Sequence, residues 1–375
     1  MIYLDNNATT KVDRDVLERM NFFHSEAYGN PNAVHHMGIK AENAMEDSRK
    51  KIAELLKSKP EEIYFTSCAT ESINWALRSS VLNRKGKNKV VTTGIEHKAV
   101  LDTLRDLKNL YNIEIATVKP DSDGVVSFEK LIEEIDEDTF FVSLMAANNI
   151  TGAIQPYEEM GNYLENKEIL FHIDAVQAIG KLDFNVERAR CDFASFSGHK
   201  FHGPKGVGLL YAKKGVPIRP VVTGGGQERG MRSGTQNVPG IVGTALALQK
   251  SFESLYDDSQ RVNDYKIRII EEIESLGGIV NGSPEKTVVN TINASFTGIK
   301  GEVIVNALSE QGVYVGISSA CSTLGGEGDY VLNAMNISDE KISGSFRISM
   351  SRYTTDEEID EFIEILRNVV SFLNF

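Results

Sequence analysis

Short apolar runs, spaced along the first two thirds of the chain with helical patterns between many of them, constrain the fold more than any other feature. They fall at residues 63–66, 90–93, 113–118, 140–145, 170–173, 193–196 and 207–211, and helical stretches such as 40–56 and 72–81 lie between them. Apolar runs this short, without strict alternation, read as strands covered on both faces. Interleaved with helices, they predict an α/β fold with a mostly parallel central sheet and helices on both sides. Ligands of such sheets bind outside the carboxyl ends of the strands. A long helical pattern from Gln236 to about Ser275, broken near Asp257, leads out of this unit. The remainder mixes strands (288–296, 344–350) with helices (301–310, 356–372) and predicts a smaller α+β domain.

Two of the runs end on chemistry. Asp174-Ala175-Val176-Gln177 follows the fifth, and Ser197-Gly198-His199-Lys200 follows the sixth. A sheet would deliver both motifs to the same edge. A lysine able to form a Schiff base, an acid to hold a ring nitrogen protonated, and hydroxyl and imidazole donors nearby are what pyridoxal phosphate (PLP) requires. Read alone, Lys200 is an ordinary solvated loop lysine; the company of Asp174, Gln177, Ser197 and His199 reverses that reading.

Other segments fall at strand ends too. Thr66-Ser67-Cys68-Ala69-Thr70-Glu71-Ser72 opens a helix, whose free N–H groups suit a phosphate with Thr70 adding a hydroxyl; the plain alternative is a helix cap. In this reading Cys68 is a small packed side chain. His97, in Glu96-His97-Lys98, could stack on a planar ring, or be merely solvated. Asn148-Asn149 could bind a ring hydroxyl or a carboxylate, or form a turn. The glycine-rich stretch 224–235 carries Arg229, Arg232 and Thr235, and its backbone and arginines suit an anion. Cys321 lies in Ser318-Ser319-Ala320-Cys321-Ser322-Thr323-Leu324-Gly325-Gly326, small and polar surroundings that favour a mobile thiolate over a packed thiol. Arg347 could clamp a carboxylate with its fork, or form a surface ion pair. His35-His36 has no further ligands at useful spacing, so no metal site is expected.

The whole chain narrows the field. Its 375 residues suffice for two domains. A net charge of −13 argues against a nucleic-acid surface. No apolar stretch approaches the roughly 20 residues of a membrane span, and Met1-Ile2-Tyr3-Leu4-Asp5 lacks the pattern of a signal peptide. Cys68, Cys191 and Cys321 form neither a disulfide framework nor a zinc pattern, which suits a reducing cytoplasm.

Together these motifs resemble the cysteine desulfurases of the NifS/IscS type, class V aminotransferases of PLP fold type I (aspartate-aminotransferase-like). The resemblance runs from Leu4-Asp5-Asn6-Asn7-Ala8-Thr9-Thr10 and Tyr28-Gly29-Asn30-Pro31-Asn32 through the motifs above to Phe346-Arg347-Ile348-Ser349. It implies that Lys200 carries PLP as a Schiff base, Asp174 pairs with the ring nitrogen, His97 stacks on the ring and Gln177 bonds its hydroxyl. Ala69, Thr70, Ser197 and His199 would hold the phosphate, with Thr235 reaching in from the second subunit of a homodimer. Asn149 and Arg347 would position the substrate carboxylate. Cys321 would take the sulfur of L-cysteine as a persulfide and pass it to an acceptor such as an iron–sulfur scaffold. The stretch from Cys321 to Tyr330 looks like the long-loop subtype. The implied division is a large domain at 13–255 and a small one built from 1–12 and 256–375. Relatives usually carry an acidic residue where this chain has Ile150, which touches on substrate preference. A selenocysteine lyase or another small-substrate PLP enzyme is the nearest alternative; a catalytically silent partner-binding protein on this scaffold fits the intact Lys200, Asp174 and Cys321 poorly.

Overall fold

A computed structural model of the chain describes residues 1–318 and 329–373. The predicted apolar runs all form strands of one seven-stranded sheet, in the order Ile63–Thr66, Gly208–Ala212, Phe193–Ser197, Leu170–Asp174, Thr139–Met145, Lys89–Thr93, Glu114–Val118. The pairs from Phe193–Ser197 across to Glu114–Val118 are parallel, whereas Gly208–Ala212 runs antiparallel to both its neighbours. Thr93, Met145, Asp174 and Ser197 therefore end neighbouring parallel strands on one edge.

The central strands are buried along their whole length, which explains their unalternating apolar sequence. Val91, Val142, Ile173 and Phe196 share one apolar cluster, and Val90, Phe141 and Phe193 share another that includes Trp75 and Leu77. Adjacent strand residues thus point to opposite faces, each covered by helices.

A second, five-stranded sheet has the order Ile2–Leu4, Val313–Ile317, Ser345–Ser349, Thr291–Ser295, Ile279–Val280. Its core holds Ile2, Leu4, Ile292, Phe346, Ile348 and Phe362. Ile2–Leu4, Ile279–Val280 and Val313–Ile317 are strands the sequence pattern does not announce. The first two span three and two residues, too few for a period to register. The expected strand at 288–296 is shorter, Thr291–Ser295. The long helical pattern is two helices, Val238–Glu253 and Leu255–Ser275, and the break falls at Ser254 rather than near Asp257.

The terminal helix Asp356–Leu373 buries Ile359, Phe362, Leu366, Val369 and Val370, the stripe expected of an amphipathic helix. Asp356, Glu357 and Glu358 in its first turn complement the helix dipole. Among the described residues no helix is long and apolar enough to cross a membrane.

The N-terminal segment joins the two sheets. Ile2–Leu4 pairs with Val313–Ile317, and the Asn7 side chain donates to Thr291 Oγ1 at 2.9 Å and to the Asn149 carbonyl at 3.2 Å.

Candidate active site

Asp174 closes its strand, and its Oδ1 accepts the Val176 N–H at 3.0 Å. Burial pushes the Asp174 pKa up, against the opposing pull of His97, the Val176 N–H and Lys200. Such a carboxylate is stabilised by a cation brought to it. One strand away, Ser197 leads into the single turn Gly198–Lys200. Lys200 Nζ donates to the carbonyls of Asn7 at 2.6 Å and Ala8 at 2.9 Å. His199 bonds Thr9 Oγ1 through Nδ1 at 3.1 Å, and burial, then Lys200 and Lys205, pull its pKa down to about 4.

The helix Ala69–Leu82 begins beside them, with Cys68 at its N-cap giving no side-chain cap. Gly208 keeps this turn close to the sheet: a Cβ there would lie 2.4 Å from the Cys68 carbonyl carbon, so only glycine fits. His97 caps the helix Lys98–Tyr111, its Nδ1 accepting the Ala99 N–H at 3.0 Å. That bond fixes the ring and leaves the proton on Nε2.

Arg347 reaches the same space from the second sheet. Nη1 donates to the Asn149 carbonyl at 2.9 Å and Nη2 to Asp5 Oδ1 at 2.6 Å. Its Nε and the Asn149 side-chain oxygen are buried and lack partners among the described residues.

Between these groups lies a cavity of about 320 Å³. Ala69, Thr70, His97, Asn149, Asp174, Gln177, Ser197, His199, Lys200 and Arg347 all line it. Thr235 does not; it is exposed on its loop. Cys321 lies outside the described residues.

Other sequence expectations are redirected. The arginines of the glycine-rich stretch serve the fold instead of the cavity. Arg232 pairs with Glu71 at 2.9 Å, while Arg229 lies 4.1 Å over the Tyr64 ring and donates to the Ile63 carbonyl at 2.7 Å. Asn148 is a turn residue, its Oδ1 accepting the N–H groups of Ile150 and Thr151. Ile150 is buried in the core, away from the cavity lining. His35 caps a helix by accepting the Gly38 N–H, and no group of metal-ligating side chains occurs among the described residues. Cys68 lines the cavity instead of packing in the core, whereas Cys191 is buried and its thiol pKa is pushed up, chiefly by burial. Asn7 and Ala8 also line the cavity. Only the motif around Asn6-Asn7, quoted for the resemblance, could have signalled them, because they sit far in sequence from the strand ends they meet.

The pattern of the family described as Aminotransferase class-V matches residues 2–362. The chain belongs to that family. It is 38% identical over 374 residues to a cysteine desulfurase IscS of Methanosarcina thermophila, covering 99% of this chain and 92% of that protein. A solved structure titled NifS-like protein superposes with a TM-score of 0.94 at 47% identity, covering 99% of both chains. Another, titled SspA in complex with cysteine, superposes with a TM-score of 0.81 at 32% identity, covering 95% of this chain and all of that one (100%).

The fold is that of the fold-type-I PLP enzymes, and PLP is the family's cofactor. The cavity fits it. Buried Asp174 suits a protonated ring nitrogen, the uncapped start of the helix at Ala69 suits a phosphate, and Lys200 lines the same cavity.

Proposed function

We propose that this chain is a PLP-dependent cysteine desulfurase, which takes sulfur from L-cysteine and leaves L-alanine. The observation that carries the reading is the meeting of Lys200, Asp174 and Arg347 in one cavity, from two sheets and three separate parts of the chain. Bound PLP supplies an electron sink for the bonds at the substrate's α-carbon.

The chain's own residues do the rest. Lys200 holds the cofactor and moves protons at Nζ. Asp174 keeps the ring nitrogen's proton in place, and His97, fixed through Nδ1, covers one ring face. Thr70, Ser197, His199 and the Ala69 N–H bind the phosphate, with Thr235 of a second copy completing the set in a homodimer. Arg347 binds the substrate carboxylate through its unpartnered Nε, and the Asn149 amide, turned to present Nδ2, joins it. The Cys321 thiolate attacks the sulfur of cysteine. The carbon–sulfur bond breaks, a sulfur–sulfur bond forms, and alanine and the Cys321 persulfide are the products. The persulfide passes to an acceptor protein of iron–sulfur cluster assembly, in the cytoplasm. The large domain is 13–255 and the small one 1–12 with 256–375.

Mass spectrometry after incubation of the PLP-loaded protein with L-cysteine, without reductant, tests this. Added sulfur on a Cys321 peptide with matching alanine supports the reading; persulfide on Cys68 or Cys191 instead, or full desulfurase activity in Cys321→Ser, overturns it.

A further inference from the structure

Lys181 stands behind the active-site cavity rather than in it. It follows the left-handed turn at Gly180 (φ +73) and, with Lys200 and Asn290, lines a second, narrow cavity of about 40 Å³. Its Nζ donates to Asn7 Oδ1 at 3.0 Å and also to Gln177 Oε1.

Those two bonds decide how two amides face. The oxygen and nitrogen ends of a Gln or Asn side chain are nearly equal in size, so the partners choose which end points where. With Oε1 turned to Lys181, Gln177 is left to present Nε2 at the cavity. That nitrogen donates at 3.1 Å to the Asn7 carbonyl, which also accepts Lys200 Nζ. Asn7 is fixed in the same way. Its Oδ1 accepts from Lys181 and, at 3.3 Å, from Asn290, so its Nδ2 serves Thr291 and the Asn149 carbonyl.

We propose that Lys181 is a positioning residue of the cofactor site, holding the Gln177 amide with its NH₂ end toward the ring hydroxyl of the cofactor. The proposal rests on the reading of the chain as a PLP enzyme.

Burial, then the positive charges of Lys200 and Arg347, hold the Lys181 pKa well below that of an ordinary lysine. Its orienting role survives this, because a neutral amine still has N–H groups for both amide oxygens. An N–H given to the ring oxygen favours the anionic form of that oxygen; an amide turned round would set lone pair against lone pair and favour the protonated form. Loss of Lys181 therefore raises the proton affinity of the cofactor chromophore.

The test is a pH titration of the absorbance spectrum of the purified, PLP-loaded protein. In Lys181→Met the midpoint should rise by about one pH unit, and Lys181→Arg, which keeps the donors, should restore most of it. Gln177→Leu should shift the midpoint in the same direction. The double variant should shift no further than Gln177→Leu alone, because a residue acting through Gln177 then has nothing to orient. An unmoved midpoint in Lys181→Met, or additive shifts in the double variant, overturns the proposal while leaving the cofactor reading intact. If Lys181→Met does not fold, Lys181→Gln, whose amide has no fixed polarity opposite the two oxygens, carries the same comparison. A parent protein with no borohydride-bleached chromophore overturns the cofactor reading itself, a separate result.

Discussion

Arg347 and Asp5, 342 positions apart in the chain, form an ion pair of 2.6 Å whose arginine side chain is only 7% exposed. The pair holds the guanidinium plane against the Asn149 carbonyl, so the fork is oriented before any ligand arrives. A preformed fork of this kind loses little freedom on binding a carboxylate. Arg347→Lys keeps the charge and loses the plane. It should raise KM for L-cysteine by about tenfold or more, roughly 1.4 kcal/mol, with a smaller change in kcat. An unchanged KM in steady-state assays would remove Arg347 from the carboxylate site.

Lys200 is expected to be indispensable to turnover. Lys200→Ala takes away both the attachment point and the group placed to carry protons. Alanine formation should fall to background, while some cofactor is retained through the phosphate contacts. Turnover near the parent rate would show that another residue holds these roles.

Asp174→Asn should leave the fold intact, since the Val176 N–H can still be accepted by an amide oxygen. What it removes is the negative charge opposite the ring nitrogen. Turnover should drop by at least about tenfold, with an unchanged circular-dichroism spectrum. Equal rates for the two proteins would count against this role.

Glu96, next to His97, gives a pH prediction. It is fully buried; Thr93 Oγ1 and the Met145 N–H donate to Oε1, while Oε2 has no partner among the described residues. Burial, opposed by the Met145 N–H and reinforced by Asp174, pushes its pKa up to about 8 from 4.5. The unfolded chain thus ionises this group first. Stability is fully present below the unfolded value, is lost as pH rises, and levels off above the folded value. Each pH unit between the two values costs about 1.4 kcal/mol. Glu96→Gln does not ionise, so its advantage in Tm over the parent should grow between pH 5 and about 8. A Tm difference flat across that window would show that Glu96 is ionised in the folded protein.

The strands of the large sheet were legible because parallel strands buried on both faces must be apolar throughout, as Val90–Val91 and Phe140–Phe141 are. Asp174 and Lys200 were legible for a related reason: polar chemistry ending an apolar run marks a sheet's carboxyl edge. Three strands of the small sheet, Ile2–Leu4, Val313–Ile317 and Ile279–Val280, were not. Val313–Ile317 mixes buried and exposed positions, and Ile2–Leu4 is a strand only because Val313–Ile317 lies beside it.

What the sequence by itself determined is the α/β architecture and the placing of Asp174 and Lys200 at one sheet edge, because periodicity and residue chemistry are local properties and need no partner to be read. What only the tertiary structure decided is which distant groups join these two residues and how they face. Cys68 became a cavity wall because Gly208 admits its turn against the sheet. Asn7 came to lie against Gln177 and Lys181 because the N-terminal segment, 170 positions before Gln177, converges there. Arg229 and Arg232 turned away from the cavity because Tyr64 and Glu71 meet them first. Hydrogen bonds between remote segments have no period along the chain, so their geometry exists only once the chain has folded.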